Sequence, residues 1–509
     1  MTASVMVFTR DLRLGDNPAL AAAARAAAVV PLFVLDEAIL GRTGGHANRL
    51  GFLLDSLHDL DTGLRARGGS LAVRAGPWVE TVLGTAQRAG ADRIHVAEDV
   101  SGYAAGRLMR LERAAAGARM AVVRHPGITA VEPGAVRVQG GGPYQVFTPY
   151  YRRWLAATRR PTAAAPARIV VPDGVGGGRL PTLAGLSTAP RAATAMRGGE
   201  SEGLARLSGW AAGRLDGYDR DRNDLAANAT SRLSAYLHFG CLSPLALAAE
   251  MSARPGGAAL VRQIAWRDFF HQVLAARPDA AWRDYRDRGA RWRDDPEGLA
   301  AWQHGLTGYP VVDAAMRQLA REGFMHNRAR MIAASFLAND LQLDWRAGAA
   351  HFMRHLTDAD VACNQLNWQW AAGTGTDTNP RRILNPTRQG RRFDPTGAYV
   401  RRYLPELTGL PAAVIHDPDP DTRRARGYPP PIVDHRQAIA AHEPRRRRSR
   451  VSAEPRWLRL SQVTDGPGPS RTLRRINRPN DGRPHHLASV VVRMSPWRWM
   501  TRHCPSSRR

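Results

Sequence analysis

Across its first 125 residues the chain alternates between short apolar runs and amphipathic stretches. The runs Val5–Phe8, Val30–Leu35, Leu71–Arg74, Ile94–Ala97 and Ala121–Arg124 read as strands. Between them, stretches such as Asn48–Arg67 and Val79–Ala89 read as helices, with Leu50, Leu53, Leu54, Leu57 and Leu64 near one face at helical spacing. Strand–helix alternation forces crossover connections and therefore parallel strands. It predicts an α/β domain over residues 1–130, a doubly wound five-stranded parallel sheet with helices on both faces. No GxGxxG follows the first strand, so the dinucleotide-binding fingerprint is absent there.

The pattern then changes twice. From about Ala156 to Gly199 the chain is rich in Ala, Pro and Gly, which reads as an inter-domain connector and bounds it at roughly 131–197. Helical periodicity follows to about Leu410 with little strand-like alternation, predicting an all-α C-terminal domain over 198–435. Past Tyr428-Pro429-Pro430-Pro431 the periodicity dissolves. Residues 436–509 are expected to be disordered, with Arg445–Arg448 an unbroken basic run. Two accounts of that tail stay open: a DNA-binding extension, or a shifted reading frame in a GC-rich gene.

A length of 509 residues with 44% apolar content allows two large domains or three smaller ones with substantial cores. Net charge is +27, and every basic residue is Arg, a uniformity that codon bias explains. Residues 431–509 hold 18 Arg against 5 acidic residues, yet the remainder is still basic. A basic body favours a polyanionic partner, most simply nucleic acid. Arg25 interrupts the apolar run from Ala19 to Leu35, and Arg10, Asp11 and Arg13 soon follow the apolar start. A cytoplasmic protein without a membrane partner is the expectation. Cys241, Cys363 and Cys504 are too scattered for a metal motif or a disulfide framework.

Four segments carry chemistry. Thr230-Ser231-Arg232-Leu233-Ser234 places hydroxyls and an Arg at a predicted helix start, suited either to a phosphate or to ordinary capping. Gln263–Gln272 is a helix bearing Trp266 and Arg267 among aromatics. Asn327, Arg330 and Met331, spaced by three and four, share a helix face that is neither clean core nor clean surface and fits a cavity wall. Finally, Asp358–Trp370 (DADVACNQLNWQW) packs two carboxylates, an Asn and two Trp into thirteen residues, with Trp345 and Trp292 on separate elements upstream. Dispersed Trp are ordinarily core packing; beside these polar groups they also suit a wire of indoles leading from a redox ring.

Taken in order, these motifs resemble the photolyase/cryptochrome family, most closely the bacterial class I enzymes acting on cyclobutane pyrimidine dimers. The resemblance runs from about Val5 to Tyr428 and includes the opening FTRDLRLGDNPAL. It implies FAD, active as the fully reduced anionic hydroquinone, with the hydroxyls of Thr230, Ser231 and Ser234 and their neighbours Arg232 and Leu233 at its diphosphate. Tyr218 would pack near that diphosphate, and Arg267 would line the flavin pocket. Arg330 would pair with Asp358 beside the ring, Asp358 and Asp360 would accept from the flavin and from Arg330, and Asn364 would face ring N5. His326, off the cavity face, would be structural.

The resemblance further implies a cavity for a flipped lesion in UV-damaged DNA, lined by Gln263, Trp266, Asn327, Met331 and Trp370, with Arg222 facing DNA. Trp368, Trp345 and Trp292 would form the electron chain to the surface. Gln263 departs from the family: dimer photolyases usually carry Glu there, whereas (6-4) photolyases and animal cryptochromes carry Gln. A Gln amide donates a hydrogen bond but gives up no proton. Asn327 and Met331 stand where (6-4) enzymes carry His. The implied function is light-driven repair of cyclobutane pyrimidine dimers by a monomer, with a cryptochrome-type photoreceptor and a (6-4) photolyase as the rivals. The strand-four loop AEDVSGYAAGR, with Asp99 and Tyr103 and without an Asn-Glu pair, resembles binders of an 8-hydroxy-deazaflavin antenna more than binders of methenyltetrahydrofolate.

Overall fold

A computed structural model describes residues 3–43, 47–380 and 382–440, so the expectations for the tail beyond 440 lie outside the described residues. Five strands form one parallel sheet: β1 (Ala3–Phe8), β2 (Ala28–Asp36), β3 (Ala72–Gly76), β4 (Ala91–Ala97) and β5 (Ala121–His125). Their order is β3-β2-β1-β4-β5, the doubly wound arrangement that the alternation predicts. The chain builds outward from β1 on one side, then returns to β1 and builds outward on the other. The switch between β1 and β4 leaves a crevice beyond the carboxyl ends of those two strands, where such sheets ordinarily carry a ligand.

Strand periodicity decides what each sheet face packs against. On β1, Val5 and Val7 join a cluster with Val30, Leu32, Val34, Ile94, Val96 and the helix residues Trp78 and Val82. Met6 and Phe8 point to the opposite face and join a different cluster, whose members extend into the helical half through Tyr236, Phe239, Ile264 and Phe269. The alternation on β2 is the same, with Phe33 and Leu35 on the shared side. Helix Ala47–Arg65 lies at the joint: Phe52 contacts Tyr236 and Phe239, with ring centroids 5.1 and 5.0 Å apart. The two halves therefore share one core. A second core, with Trp302, Phe336, Trp345, Phe352, Trp368 and Tyr399, lies wholly within the helical half.

The connector differs from its expected character. Residues Phe147–Ala156 form a helix that buries Phe147, Tyr150 and Trp154 against helix Ala258–Ala276. The Trp154 indole donates to Asp268 at 2.9 Å, and the Ala130 and Val131 amides donate to the same carboxylate at 3.0 Å each. Further on, Val29 N–H donates to Val170 at 2.8 Å, and Arg74 holds the Val175 and Gly177 carbonyls. Small residues let the segment lie flat on the α/β half, where its backbone groups find partners.

The loop after β1 is the main seam. Arg13 is fully buried and donates to the carbonyls of Gly15, Asp16, Gly127 and Gly240. Gly240 ends helix Ser234–Phe239 at φ +71°, and a Cβ there would sit 1.9 Å from the Arg10 carbonyl oxygen, so only Gly allows this approach. Arg10 donates to the His238 carbonyl and Asp99 at 3.0 Å each and also pairs with Asp360. Burial opposes the charge on these groups. Nevertheless, the two carboxylates raise Arg10 above its ordinary value, Arg10 lowers Asp99, and His271 together with Arg10 takes Asp360 well below the usual carboxylate range. We predict that Arg10→Ala costs about 3 kcal/mol, the scale of a broken buried ion pair. Because both carboxylates titrate lower when folded than unfolded, the wild-type contribution is complete above about pH 4 and fades as acid is added. Thermal melts from pH 3 to 7 should show a steeper acid loss in wild type than in the variant.

Candidate functional site

The elements around Arg10 and the helical core converge on one buried polar region. Asp358 lies just before helix Val361–Ala372 and receives Arg330 at 2.9 Å, the pair expected from sequence. Arg330 also donates to the Met325 carbonyl at 2.8 Å. Burial works to raise the Asp358 carboxyl, but the charge and hydrogen bond of Arg330, with a further bond from Ser234, hold it below its ordinary value. Its Oδ1 nonetheless has no hydrogen-bond partner, and the same holds for Arg232 Nε, whereas His238 Nδ1, also without one, faces Asp360 at 4.0 Å. Buried polar atoms are almost always satisfied, so a group of orphans connected through Arg330, Phe324 and Ser234 marks a place for a polar ligand.

Asp360 is placed differently from expectation. It caps helix Val361–Ala372 by accepting from the Cys363 amide at 2.8 Å, and its other oxygen faces Arg10, with His271 Nε2 at 3.4 Å. Arg330 meets Asp358 and not Asp360, because the capping geometry turns the Asp360 carboxylate toward the β1 loop. His271, Asp360 and Cys363 bring possible ligand atoms within 4.8 Å of one another. The Arg10 guanidinium already neutralises this carboxylate and would repel a cation. Cys241 and Cys363 are free thiols.

Asn364 is buried one turn into the same helix. Its amide nitrogen donates to the Ala349 carbonyl at 3.1 Å and to Gln365 Oε1 at 3.2 Å. With both N–H groups used, Oδ1 is left as an acceptor, which suits an N–H on a ring placed before it.

Residues 230–234 behave as predicted only in part. The helix begins at Ser234, but it has six residues and Leu233 occupies the cap position without a side-chain cap bond. The Thr230 and Ser231 hydroxyls are therefore not spent on capping. Arg232 adopts φ +53°, pairs with Glu322 at 3.2 Å and stacks over Phe324 at 4.4 Å. Tyr218 is buried edge-on to Trp210, with ring centroids 5.2 Å apart. Arg267 is also buried, but it donates to the Ile128 carbonyl at 2.6 Å and the Leu237 carbonyl at 3.3 Å. Much of its guanidinium thus ties the two halves together.

The residues expected to line a lesion cavity fall on three helices. Gln263 and Trp266 are half-buried on helix Ala258–Ala276; Asn327 is exposed at the start of helix Asn327–Ser335, and Met331 is half-buried one turn on. His326 caps that helix by accepting from the Arg328 amide at 3.1 Å, and burial first, then neighbouring arginines, pull its ring down to about 4. Trp370 is half-buried, with Arg382 at 4.9 Å over its ring. Arg222 pairs with Asp219 at 3.0 Å. Burial and then the charges of Arg222, Arg392 and Arg382 lower Arg328, so four guanidiniums gather on one surface. Mutually repelling cations favour an anion between them.

The three Trp expected to form an electron chain all belong to the second core or pack against it. Trp368 and Trp345 are buried; Trp292 is half-buried against the same cluster. The Trp368 indole lies so close to Gly348 that a Cβ there would meet it at 2.2 Å, which brings the ring against helix Trp345–His355. Trp345 donates to Asp284 at 2.9 Å, and Arg293, next to Trp292, donates its amide to the Gln342 carbonyl at 2.8 Å. Sequence reasoning assigned no role to Arg10, His238, His271 or Arg382. Arg10 stands inside the quoted opening motif, but nothing local reveals a partner 350 residues away.

A doubly wound sheet joined to a helical half with this pocket defines a flavoprotein of the photolyase/cryptochrome fold. Known proteins agree. A DNA photolyase domain matches residues 4–167, and the FAD binding domain of DNA photolyase matches 260–447. A deoxyribodipyrimidine photo-lyase of Streptomyces griseus is 51% identical over 453 residues, covering 87% of this chain and 99% of that protein. One of Halobacterium salinarum is 36% identical over 470 residues, covering 85% and 97%. The crystal structure of a bacterial class III photolyase from Agrobacterium tumefaciens has a TM-score of 0.82 at 33% identity, covering 89% of this chain and 98% of that one. The chain belongs to the DNA photolyase family, and its helical half is an FAD-binding domain.

The orphaned Asp358 Oδ1, the uncommitted hydroxyls of Thr230 and Ser231 and the acceptor face of Asn364 fit FAD. We predict that Asp358→Asn lowers FAD affinity roughly tenfold or more, the scale of a lost hydrogen bond to a charged group. The flavin-to-protein absorbance ratio after gel filtration measures it; full retention would remove Asp358 from the pocket.

Proposed function

We propose that this chain repairs cyclobutane pyrimidine dimers in UV-damaged DNA in a light-dependent reaction, as a deoxyribodipyrimidine photo-lyase. The observation that carries this reading is the 51% identity, over nearly the whole of both chains, to a relative of that name. The geometry supports it. The arginines around Arg328 neutralise backbone phosphates and give salt-dependent docking. A damaged pair stacks and pairs poorly, so extruding it from the duplex costs less than extruding normal bases. Trp266 and Trp370 offer ring faces to the extruded pyrimidines, Gln263 offers an amide to a pyrimidine carbonyl, and Asn327 and Met331 close the remaining wall.

Fully reduced FAD, when bound, supplies the light-excited electron that opens the dimer and takes it back afterwards. The protein holds the ring and excludes water. The Asn364 oxygen accepts from the ring N–H without adding charge. Arg330, neutralised by Asp358, leaves a near-neutral environment beside the ring. Trp368, Trp345 and Trp292 provide indoles from the buried pocket to the surface for recharging an oxidised flavin.

The antenna is 8-hydroxy-deazaflavin in this proposal. The loop after β4 lacks Asn-Glu, and Asp99 and Tyr103 are held by Arg10 and by Asp36 at 2.6 Å, respectively. An absorption maximum at the methenyltetrahydrofolate position would overturn it. The enzyme acts as a cytoplasmic monomer in this reading; among the described residues no helix is long and apolar enough to cross a membrane. Gln263 is the one residue that favours a photoreceptor or (6-4) enzyme, but the cavity lacks the His expected at 327 and 331 for (6-4) chemistry.

The direct test is light-dependent loss of dimers from an irradiated oligonucleotide with chemically reduced, full-length protein; no loss would sink the proposal. Trp292→Phe should abolish photoreduction of oxidised flavin yet leave repair by pre-reduced enzyme intact, read by bleaching and repair assays on one preparation. Gln263→Glu should raise repair yield where the missing carboxyl limits the reaction; an unchanged yield would show that the pocket has compensated.

A further inference from the structure

The first link between the connector and the cavity is a pair of rings. Phe147, at the start of helix Phe147–Ala156, lies face to face with Trp266: centroids are 3.6 Å apart and the planes differ by 7°. Isolated aromatic rings avoid full overlap because their negative faces repel, and they prefer offset or edge-on arrangements. Here the overlap is imposed by the surroundings. Tyr151 stacks with Phe147 at 5.5 Å and 15°, and the Arg262 guanidinium lies 5.3 Å from both rings. Phe269 meets Trp266 edge-on at 5.7 Å and 89°. The connector helix is itself fixed by the Trp154–Asp268 hydrogen bond. Phe147 is thus buried, anchored and flat against one face of an indole that remains half-buried.

We propose that Phe147 is a positioning residue for the lesion: it occupies the rear face of Trp266 and fixes the indole plane, so that an extruded pyrimidine meets a preset stacking surface. The assignment rests on the reading of Trp266 as a wall of the lesion cavity. An indole without this backing would swing about its side-chain torsions, and ordering it on each binding event would cost affinity. The contribution of the connector to recognition is then one ring, placed from outside the FAD-binding domain.

The test uses full-length, FAD-loaded protein and a double-mutant cycle. Affinities for a dimer-containing oligonucleotide and its undamaged counterpart are measured for wild type, Phe147→Leu, Trp266→Ala and the double variant, with flavin content and melting temperature alongside. Phe147→Leu should weaken dimer binding about fivefold, the scale of part of one base–aromatic stack. It should leave undamaged DNA binding and flavin content unchanged. In the Trp266→Ala background the same change should have no further effect, and Phe147→Tyr should restore wild-type affinity. Phe147→Met, which fills volume without a flat face, replaces the Leu variant if that one fails to fold. Equal losses for damaged and undamaged DNA, an undiminished effect without Trp266, or no loss at all would each overturn the assignment. Wild-type dimer binding by Trp266→Ala would instead refute the cavity reading itself, and this assignment with it.

Discussion

The structure depends most on the charge of Arg10. This guanidinium leaves the carboxyl end of β1 and joins two carboxylates, Asp99 beyond β4 and Asp360 at the head of the flavin-side helix. Its location is the switch-point crevice of the sheet, where an open α/β domain of this kind commonly keeps a small ligand. In this chain the crevice grips the other half of its own polypeptide. One guanidinium here faces two carboxylates, with His271 Nε2 a further 3.4 Å from Asp360, and a buried cluster of this kind fixes orientation more than it adds stability. From Asp360 the constraint passes directly to Asn364, one helical turn on.

A division of electrostatic labour follows. Asp360 is kept ionised for the joint and Asp358 for the pocket; they are two residues apart, and each has its own arginine. Arg10 comes from the sheet and Arg330 from a helix of the cavity wall. The pocket arginine, paired with Asp358, brings no net charge, and the Asn364 amide nearby is neutral. Asp268 is the opposite case: burial, its dominant influence, raises the carboxyl, and three donors from two segments hold it in place. One buried acid thus organises the connector, another the joint and a third the pocket.

Much of this was legible in the sequence. The five strands and the first helices follow from periodicity, because a sheet buried on both faces needs apolar runs of that spacing. The Arg330–Asp358 pair was legible through family motifs. Other parts were hidden for physical reasons. Arg10, the partner of Asp360, lies 350 residues away in sequence, and the resemblance, which named Arg330 for the two carboxylates together, gave no sign of it. The helix read near 230–234 begins only at Ser234 and has six residues, so Thr230 and Ser231 lie ahead of it and cap nothing. The connector was read from its Ala, Pro and Gly content after about Ala156; ahead of that composition three buried aromatics, Phe147, Tyr150 and Trp154, at spacings of three and four, form a packed helix. Arg267 carried a pocket role by resemblance, while its geometry shows a clasp between carbonyls.

The alternation of β1 and β2 has a consequence for how such a protein is assembled in evolution and in the laboratory. Met6, Phe8, Phe33 and Leu35 give one face of the sheet to the same core as Tyr236 and Phe239. Released alone, the N-terminal half would display that greasy face to water and stick to its own kind. The halves are therefore not cassettes: a graft from a relative must bring matching contours on both sides of the seam, and inheritance would favour exchange of whole genes over exchange of parts.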